Sequence, residues 1–502
     1  MLTQRRSGIL LHPTSLPGAQ SVGSLGQEAY DFVDFLVSAG QSVWQILPLG
    51  PTGYGNCPYS SFSAFAGNPL LINLQLLAES EDLPEFDLPA QNTETDIADF
   101  DTAVKTLLPV LHLAGENFKQ NADSPRQQAF DRFCFDQAYW LNDYAFYEAM
   151  RKNQQYQGWQ QWPQDIRQRK QSALHHWGVE LQDDIFQQKY QQFIFFEQWS
   201  ALKKYANDKG IEIFGDLPIF VAEDSADVWT NREQFYLDDE DQATLVAGVP
   251  PDYFSKTGQR WGNPLYRWEQ MAEDNFSWWL ARFRWNLELF DLLRVDHFRG
   301  FSSCWAIPAD EPTAVNGHWL KAPGDQLFAL LQQELGSLPI IAEDLGIITP
   351  EVEQLRDRYT FPGMKVLQFA FDSGPDNPYL PPNHLPNSVV YTGTHDNNTT
   401  LGWWRSLDTN GKKQVRDQLQ NPCRKMPWPL IETALSSVSK LAIIPLQDIL
   451  SLPATSRMNT PGTAMGNWQW RFQKKSLSAE IADKLKSRSH LYGRDLCIPT
   501  EM

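Results

Sequence analysis

The sequence has few cysteines, and their arrangement argues against two classes of protein. There are five in 502 residues, and they are far apart with no CxxC pair among them. Disulfide-dependent secreted domains and zinc modules use more, and more regularly spaced, cysteines. We therefore expect no disulfide framework and no zinc cluster, and we expect a reducing compartment: the cytoplasm, or the plastid stroma if a transit peptide has been removed.

Long hydrophobic runs and positive charge are also scarce. The apolar run at residues 9–11 is too short for the core of a signal peptide, and no run approaches the roughly 18 apolar residues of a membrane span. Lysine and arginine number 42 against 61 aspartates and glutamates, which gives a formal charge of −19. Because such a surface repels phosphate backbones and anionic lipids, we expect neither nucleic acid nor a membrane as partner.

Two kinds of ligand motif are missing, whereas aromatic residues are plentiful. No segment resembles a diphosphate cradle, which disfavours a nucleotide-sugar donor. The nine histidines show neither HxxxH nor Cys/His ligand spacing, so we predict no metal and no cofactor. Aromatic residues make up 13% of the chain, with 19 tryptophans. Their rings fill protein cores and also stack on the apolar faces of sugars, so a neutral carbohydrate is a plausible class of partner.

Eight short apolar runs recur along the chain, mostly followed by Gly, Pro or Asp. Buried parallel strands have this continuous apolar character, and most intervals leave room for a helix. The count and spacing predict a single catalytic (β/α)8 barrel, a TIM barrel, over residues 1–502. The runs are at residues 8–11, 43–47, 211–214, 292–295, 340–342, 364–369, 389–391 and 441–444.

Two intervals are too long for a simple crossover and are predicted to be helical and loop insertions. Residues 51–185 would form an insertion subdomain after the second strand. Residues 221–285 would form an insertion with an active-site lid after the third. Within the first, Ser124 predicts a helix N-cap and Pro125 the first helical position.

Acidic residues follow several of the predicted strands. In a (β/α)8 barrel, the groups that act on the substrate lie at the C-terminal ends of the strands. Asp216, Asp296, Glu343 and Asp396 come after the third, fourth, fifth and seventh runs. One such residue could simply be the N-cap of the next helix, but four on one rim predict an active site.

The fourth strand gives the clearest chemical signal. Side chains alternate across a strand, so Arg294 and Asp296 share a face. A nearby guanidinium favours the charged form of a carboxylate and orients it. Retaining glycoside chemistry needs such a nucleophile, a carboxyl that donates and recovers a proton, and stabilisation of an oxocarbenium-like transition state. Asp296, Glu343 and Asp396 fit these three needs.

Long motifs extend this interpretation to nearly the whole chain. The sequence resembles the 4-α-glucanotransferases of the amylomaltase, or disproportionating, type within the α-amylase clan. Besides the three catalytic segments, the resemblance rests on residues 8–18 (GILLHPTSLPG), 58–69 (PYSSFSAFAGNP), 248–254 (GVPPDYF), 258–264 (GQRWGNP) and 466–468 (GNW). It implies a hexosyltransferase that passes a segment of an α-1,4-glucan to the 4-hydroxyl of another glucan or of glucose. Maltooligosaccharides and α-1,4-glucans would be both donors and acceptors.

The resemblance also implies roles for individual residues. Asp296 would be the nucleophile, Glu343 the general acid/base and Asp396 the transition-state stabiliser, and a retaining carboxyl pair is expected about 5–5.5 Å apart. Residues 248–264, whose counterpart in the family arches over the cleft, would exclude water and hold the acceptor. The expected substrate contacts are Tyr59, Asp216, Asp252, Tyr253, Phe254, Gln259, Trp261, Arg294, Asp372, His395 and Asn467.

Other interpretations stay open. His297 lies next to the proposed nucleophile but on the opposite strand face, so we expect a structural role for it. An α-1,4-glucan hydrolase of the same clan would share the three carboxylates and pass the intermediate to water. A catalytically silent glucan-binding or scaffold protein could use the same barrel, although three converging carboxylates argue against it.

Overall fold

The strands form two sheets. The structure, a computed structural model, describes residues 2–84, 95–251, 255–419 and 425–495, and the statements below concern these ranges. In chain order the strands are β1 (Arg6–Leu10), β2 (Val43–Gln45), β3 (Glu212–Leu217), β4 (Leu245–Val249), β5 (Gln259–Pro264), β6 (Leu292–Val295), β7 (Ser303–Pro308), β8 (His318–Lys321), β9 (Ile340–Ala342), β10 (Gly363–Val366), β11 (Ser388–Tyr391) and β12 (Leu441–Pro445).

The larger sheet has eight parallel strands in the order β10-β11-β12-β1-β2-β3-β6-β9. Its two end strands also meet, because the backbone N–H of Ala342 in β9 donates to the carbonyl of Pro362, just before β10, at 2.9 Å. Each of the eight predicted runs supplies one of these strands. The predicted (β/α)8 barrel is thus confirmed, and the C-terminal ends of its strands form one rim.

The barrel strands are apolar because both of their faces are covered. Every residue of β6 and β12 is buried, and side chains such as Ile9, Val43 and Ile341 have no exposed surface. These residues belong to one large hydrophobic core that continues into the surrounding helices. A strand covered on both faces has no reason to alternate apolar and polar residues, which explains the continuous runs in the sequence.

The smaller sheet is antiparallel, in the order β5-β4-β7-β8. Strands β4 and β5 lie within the predicted insertion 221–285, whereas β7 and β8 follow barrel strand β6. One face packs on the main core through Ala247, Cys304 and Ala306. We call these four strands the lid sheet, because they stand on the barrel rim beside the end of β6. The sequence did not predict them.

Helices fill the intervals between strands. Six of them, α2 to α7 in the list below, lie in the predicted insertion 51–185, and α8 leads back to β3. No helix in the described ranges is both long and apolar enough to cross a membrane. In chain order the helices are α1 (Gln27–Ser38), α2 (Leu74–Glu79), α3 (Phe100–Asn121), α4 (Ser124–Asp136), α5 (Ala138–Asn153), α6 (Gln164–Arg167), α7 (Gln171–Glu180), α8 (Gln182–Asp208), α9 (Ala226–Thr230), α10 (Trp268–Glu273), α11 (Ser277–Leu289), α12 (Gly324–Leu335), α13 (Pro350–Arg358), α14 (Thr400–Ser406), α15 (Thr409–Gln418), α16 (Trp428–Ser436), α17 (Leu446–Ile449) and α18 (Ala479–Leu491).

The start of α4 corrects one detail of the prediction. Asp123, not Ser124, is the N-cap: its backbone is extended, and its carboxylate accepts a hydrogen bond from the N–H of Arg126 at 2.8 Å. Ser124 and Pro125 are the first two helical residues. The prediction of Ser124 was wrong because aspartate caps at least as well as serine, and proline is tolerated throughout the first turn, where N–H groups have no helical partner.

Candidate active site

Arg294 is the centre of a buried ion-pair network on the barrel rim. The register of β3 and β6 places Asp216 opposite Arg294. The guanidinium donates from Nη1 to Oδ2 of Asp216 and from Nη2 to Oδ1 of Asp296, at 2.6 Å each. The Asp216 and Arg294 side chains are 0% and 5% exposed, whereas that of Asp296 is 29% exposed. Asp296 is therefore the member of the network that faces the cleft.

The charge on Arg294 is secured by its two acidic partners. Burial lowers the pKa of Arg294, but Asp216 and Asp296 raise it by more, so that its pKa stands well above the usual value. The strand alternation noted in the sequence accordingly puts a permanent cation against Asp296. A charge-assisted pair of this length holds the carboxylate in one orientation.

Asp216 and Tyr59 both contact the Arg294 guanidinium. The Tyr59 hydroxyl donates to Oδ2 of Asp216 at 2.6 Å, and burial raises the pKa of both groups. Both residues are predicted substrate contacts. In the structure the Asp216 carboxylate has no exposed surface, whereas Tyr59 is half-buried, with its hydroxyl on Asp216 and its ring against that of His395.

Glu343 lies immediately after β9 and is held by two backbone N–H groups. Its Oε2 accepts from His297 at 2.7 Å and its Oε1 from Leu345 at 2.9 Å. Burial raises the pKa of Glu343 to about 8; Arg294 opposes the shift and the negative charge of Asp296 adds to it. A carboxyl with this pKa carries a proton at neutral pH, as a general acid must.

His297 serves Glu343 through its backbone. It adopts the left-handed conformation, with φ 49° and ψ 49°, which costs about 1–2 kcal/mol for a residue with a Cβ. This conformation turns the chain after β6 so that the N–H of His297 reaches Glu343. Burial lowers the pKa of its ring to about 4, so the imidazole is neutral. Nothing in the sequence indicates this backbone contact.

Asp396 is fixed from the loop that follows β12. The side-chain amide of Asn459 donates to its Oδ1 at 2.6 Å, and Arg457 donates to its backbone carbonyl. Its Oδ2 lies 3.4 Å from Nε2 of His395, and its side chain is 44% exposed. Burial lowers the pKa of His395, and its ring stacks on Tyr59 with centroids 5.1 Å apart. Sequence reasoning missed Asn459 and Arg457, since neither belongs to a motif or a strand end.

The predicted lid residues are placed only in part. Asp252, Tyr253 and Phe254 lie outside the described residues. Gln259 and Trp261 are exposed on β5, and Nε1 of Trp261 donates to Oε1 of Gln259 at 3.1 Å. The ring of Trp261 meets that of His297 edge to face, with centroids 4.8 Å apart. The lid sheet thus reaches the residue whose N–H binds Glu343.

Asn467 and Asp372 are two further predicted contacts. Asn467 is buried, and its amide holds its own loop: Oδ1 accepts from the N–H of Thr460 and Nδ2 donates to the carbonyl of Thr463, at 2.9 Å each. Asp372 is exposed and accepts a 3.3 Å hydrogen bond from Asn377. None of these three hydrogen bonds involves Asp296, Glu343 or Asp396.

Three carboxyl groups on the rim of a (β/α)8 barrel, one of them half-buried with its pKa raised to about 8, are typical of enzymes that act on glycosidic bonds. Comparisons with known proteins make this class more specific. A family model described as 4-alpha-glucanotransferase matches residues 11–477. The 4-alpha-glucanotransferase of Synechocystis is 51% identical, covering 98% of this chain and 99% of its own length. That of Thermus thermophilus is 49% identical, covering 96% and 98%.

A solved structure agrees with the sequence relatives. The amylomaltase from Streptococcus agalactiae in complex with acarbose is 40% identical, with a TM-score of 0.94 over 98% of this chain and 100% of that one. The chain belongs to the 4-alpha-glucanotransferase family, and it is an enzyme with that transferase activity.

Proposed function

We propose that the enzyme moves a segment of an α-1,4-glucan to the 4-hydroxyl of a second glucan or of glucose, with maltooligosaccharides as donors and acceptors, by a retaining double displacement. Asp296 is the nucleophile, Glu343 the general acid/base and Asp396 the transition-state stabiliser. The observation that carries the proposal is the contrast between Asp296, paired with the Arg294 cation, and Glu343, whose pKa burial raises to about 8. Two carboxyl groups in such different electrostatic environments suit two different roles.

In the first displacement, a carboxylate oxygen of Asp296 attacks the anomeric carbon of the donor. The bond from that carbon to the departing glucan oxygen breaks, and Glu343 gives its proton to that oxygen. The product is a covalent, β-linked glycosyl-enzyme on Asp296. Arg294 keeps the attacking oxygen in place.

In the second displacement, ionised Glu343 takes the proton from the 4-hydroxyl of the acceptor. The acceptor oxygen attacks the anomeric carbon, the bond to Asp296 breaks, and an α-1,4 linkage forms. Two inversions give net retention of configuration. Each cycle restores the proton on Glu343 and the charge on Asp296.

Asp396 holds sugar hydroxyl groups as positive charge develops on the ring. Asn459 occupies one of its oxygens, so the other is available to the substrate together with the neutral imidazole of His395. A carboxylate fixed in this way does not have to reorganise when the transition state forms.

The lid sheet favours transfer over hydrolysis. Gln259 and Trp261, with Asp252, Tyr253 and Phe254 of the same segment, would hold the acceptor and exclude water. The support for this is the exposed Trp261 ring, 40% accessible, which stands beside His297.

The two insertions work as parts of one catalytic unit that spans residues 1–502. Segment 51–185 is joined to segment 221–285 by hydrogen bonds from the Tyr147 hydroxyl to Asp224 at 2.6 Å and from Trp159 Nε1 to the carbonyl of Glu223 at 2.9 Å. As working compartment we infer a reducing one, the cytoplasm or a plastid stroma, because Cys57, Cys134 and Cys304 carry free thiols.

Maltotriose given as the only substrate tests the reaction. We expect glucose and a ladder of longer glucans, with nearly constant total reducing ends, because every bond that is broken is remade. Added glucose should shift the mixture towards shorter chains. A steady rise in reducing ends with no product longer than maltotriose would show a hydrolase instead.

A further inference from the structure

A contact between three residues joins the loop of Glu343 to the lid sheet. Arg299, in the turn after β6, donates from Nη1 to the carbonyl of Ile347 in the loop after β9. Cζ of the same guanidinium lies 3.9 Å from the centroid of the Trp319 ring on β8. The turn after β6, the loop that begins with Glu343 and the lid sheet therefore meet at one side chain.

The loop at residues 343–347 is held to this turn at both of its ends. At the first, Oε2 and the carbonyl of Glu343 accept from the N–H groups of His297 and Phe298, at 2.7 and 3.2 Å. At the second end of the loop, Ile347 accepts a hydrogen bond from Arg299, and no other hydrogen bond in the described ranges joins this end to the turn. Between the two ends lies Gly346, with φ +84°. Because glycine has no side chain, no side-chain packing fixes the loop at that point.

Arg299 is an unusual buried cation. It is 6% exposed, yet its partners in the described ranges are a neutral carbonyl and an aromatic ring and include no carboxylate. Burying a guanidinium without a counter-ion is costly, and burial lowers its pKa. A planar guanidinium can contact an aromatic ring with its face while it donates a hydrogen bond from its edge. It can therefore hold Trp319 and the Ile347 carbonyl at a fixed distance, which the flexible ammonium group of a lysine cannot do.

We propose that Arg299 is a positioning residue for Glu343: it fixes the loop at residues 343–347 and, through Trp319, ties that loop to the lid sheet that carries Gln259 and Trp261. It does not touch the substrate. The inference rests on the proposed role of Glu343 as the general acid/base. The lid sheet and the proton donor are then held in one rigid arrangement.

The charge state of Glu343 offers a readout that a purely structural role would not change. Four charged or titratable groups face Glu343. They are Arg294 in β6, Asp296 just after β6, the neighbouring Asp344, and Tyr379 in the loop after β10. Burial is the largest cause of its raised pKa. If the loop loosened, Glu343, which is half-buried, would become more exposed to water and its pKa would fall. Removing the Arg299 charge would act in the opposite direction, so the test variant must keep that charge.

Arg299→Lys meets this requirement. We expect kcat for maltotriose disproportionation to fall about tenfold, a fraction of what a general acid contributes, and the basic limb of the pH profile of kcat/KM to move to lower pH. The burst of fluoride released from an α-maltosyl fluoride should change much less, because fluoride departs with little acid help. Arg358→Lys, at an exposed pair with Asp325, is the matched control and should leave all three unchanged.

Trp319→Leu provides a second, independent variant. It should shift the basic limb in the same direction, and its effect combined with Arg299→Lys should be less than the product of the two separate effects, because both act on one contact. Equal losses on maltotriose and on the fluoride with an unmoved pH limb, or no loss in Arg299→Lys, would overturn the proposal.

Glu343→Gln separates failure of this inference from failure of the proposed mechanism. If that variant is not rescued on the fluoride, the acid/base assignment itself is wrong. If it is rescued while Arg299→Lys behaves like the parent, only the role of Arg299 is wrong.

Discussion

Asn459 donates its side-chain amide to Oδ1 of Asp396 at 2.6 Å, across 63 residues of chain. The bond crosses from the loop after β12 to the loop after β11, and the backbone N–H of Asn459 also donates to the carbonyl of His395 at 3.1 Å. The loop after β12 therefore holds Asp396, the proposed stabilising residue, in position, and it determines which carboxylate oxygen stays available to the substrate.

This contact predicts the behaviour of Asn459→Asp. The change places a second carboxylate against Asp396, where like charges repel and the donated hydrogen bond is lost. We expect kcat to fall about 100-fold, the scale of losing one preorganised transition-state contact, while KM changes little. Steady-state kinetics on maltotriose measure this. Asn387→Asp, at an exposed loop asparagine, is the control, and equal activity in the two variants would contradict the role of Asn459.

Asp296→Asn tests the nucleophile. The amide is nearly isosteric but cannot attack the anomeric carbon, so kcat should fall by several orders of magnitude while the fold and the affinity for maltooligosaccharides stay largely intact. Kinetics and calorimetric titration separate the two effects. Activity within tenfold of the parent would rule out the assignment. Arg294→Lys should also be costly, because a point charge cannot bind Asp216 and Asp296 as a planar fork does.

The raised pKa of Glu343 predicts the alkaline limit of activity. The free enzyme needs this carboxyl protonated to release the first glucan, so kcat/KM should fall as pH rises through about 8. Glu343→Gln should abolish that limb. A trapped glycosyl-enzyme formed from a fluoride donor should carry its label on Asp296, and a label on Glu343 would mean that the two roles are reversed.

The same shift predicts that the stability of the fold, like kcat/KM, falls as pH rises. A carboxyl whose folded pKa lies above its unfolded value binds its proton more tightly when folded, so stability is lost as pH rises from about 4.5 to about 8. Glu343→Gln removes this loss. Its melting temperature should exceed that of the parent at pH 8 and match it at pH 4. A variant that melts lower at pH 8 would show that Glu343 is not destabilised by burial.

Trp261→Ala tests the lid sheet. If this ring helps to hold the acceptor and exclude water, its loss should lower transfer more than hydrolysis, so that the ratio of transfer to hydrolysis drops several-fold. Chromatography of maltotriose products, with reducing-end assays, gives both rates. Phe135→Ala, at a ring that is 79% exposed on α4, should leave the ratio unchanged. Parallel losses in both rates would mean that Trp261 only supports the fold.

The barrel and the identity of the rim carboxylates could be predicted from the sequence alone. A strand covered on both faces must be apolar throughout, and alternation along a strand puts Arg294 and Asp296 on one face, so both signals are local and can be read without a structure. The four lid-sheet strands left no such signal, since β5 and β8 are largely exposed and β4, β5 and β7 contain glycine or proline.

The differences between those carboxylates could not be predicted from the sequence, because they arise from contacts between distant parts of the chain. The burial of Glu343, the left-handed turn at His297 that points an N–H at it, and the hydrogen bond from Asn459 to Asp396 all depend on loops that become neighbours when the barrel closes. None of these three features can be predicted from the residues adjacent in sequence. The same holds for Asp216, whose carboxylate is fully buried opposite Arg294, because depth within a closed rim is set by the packing of several strands together.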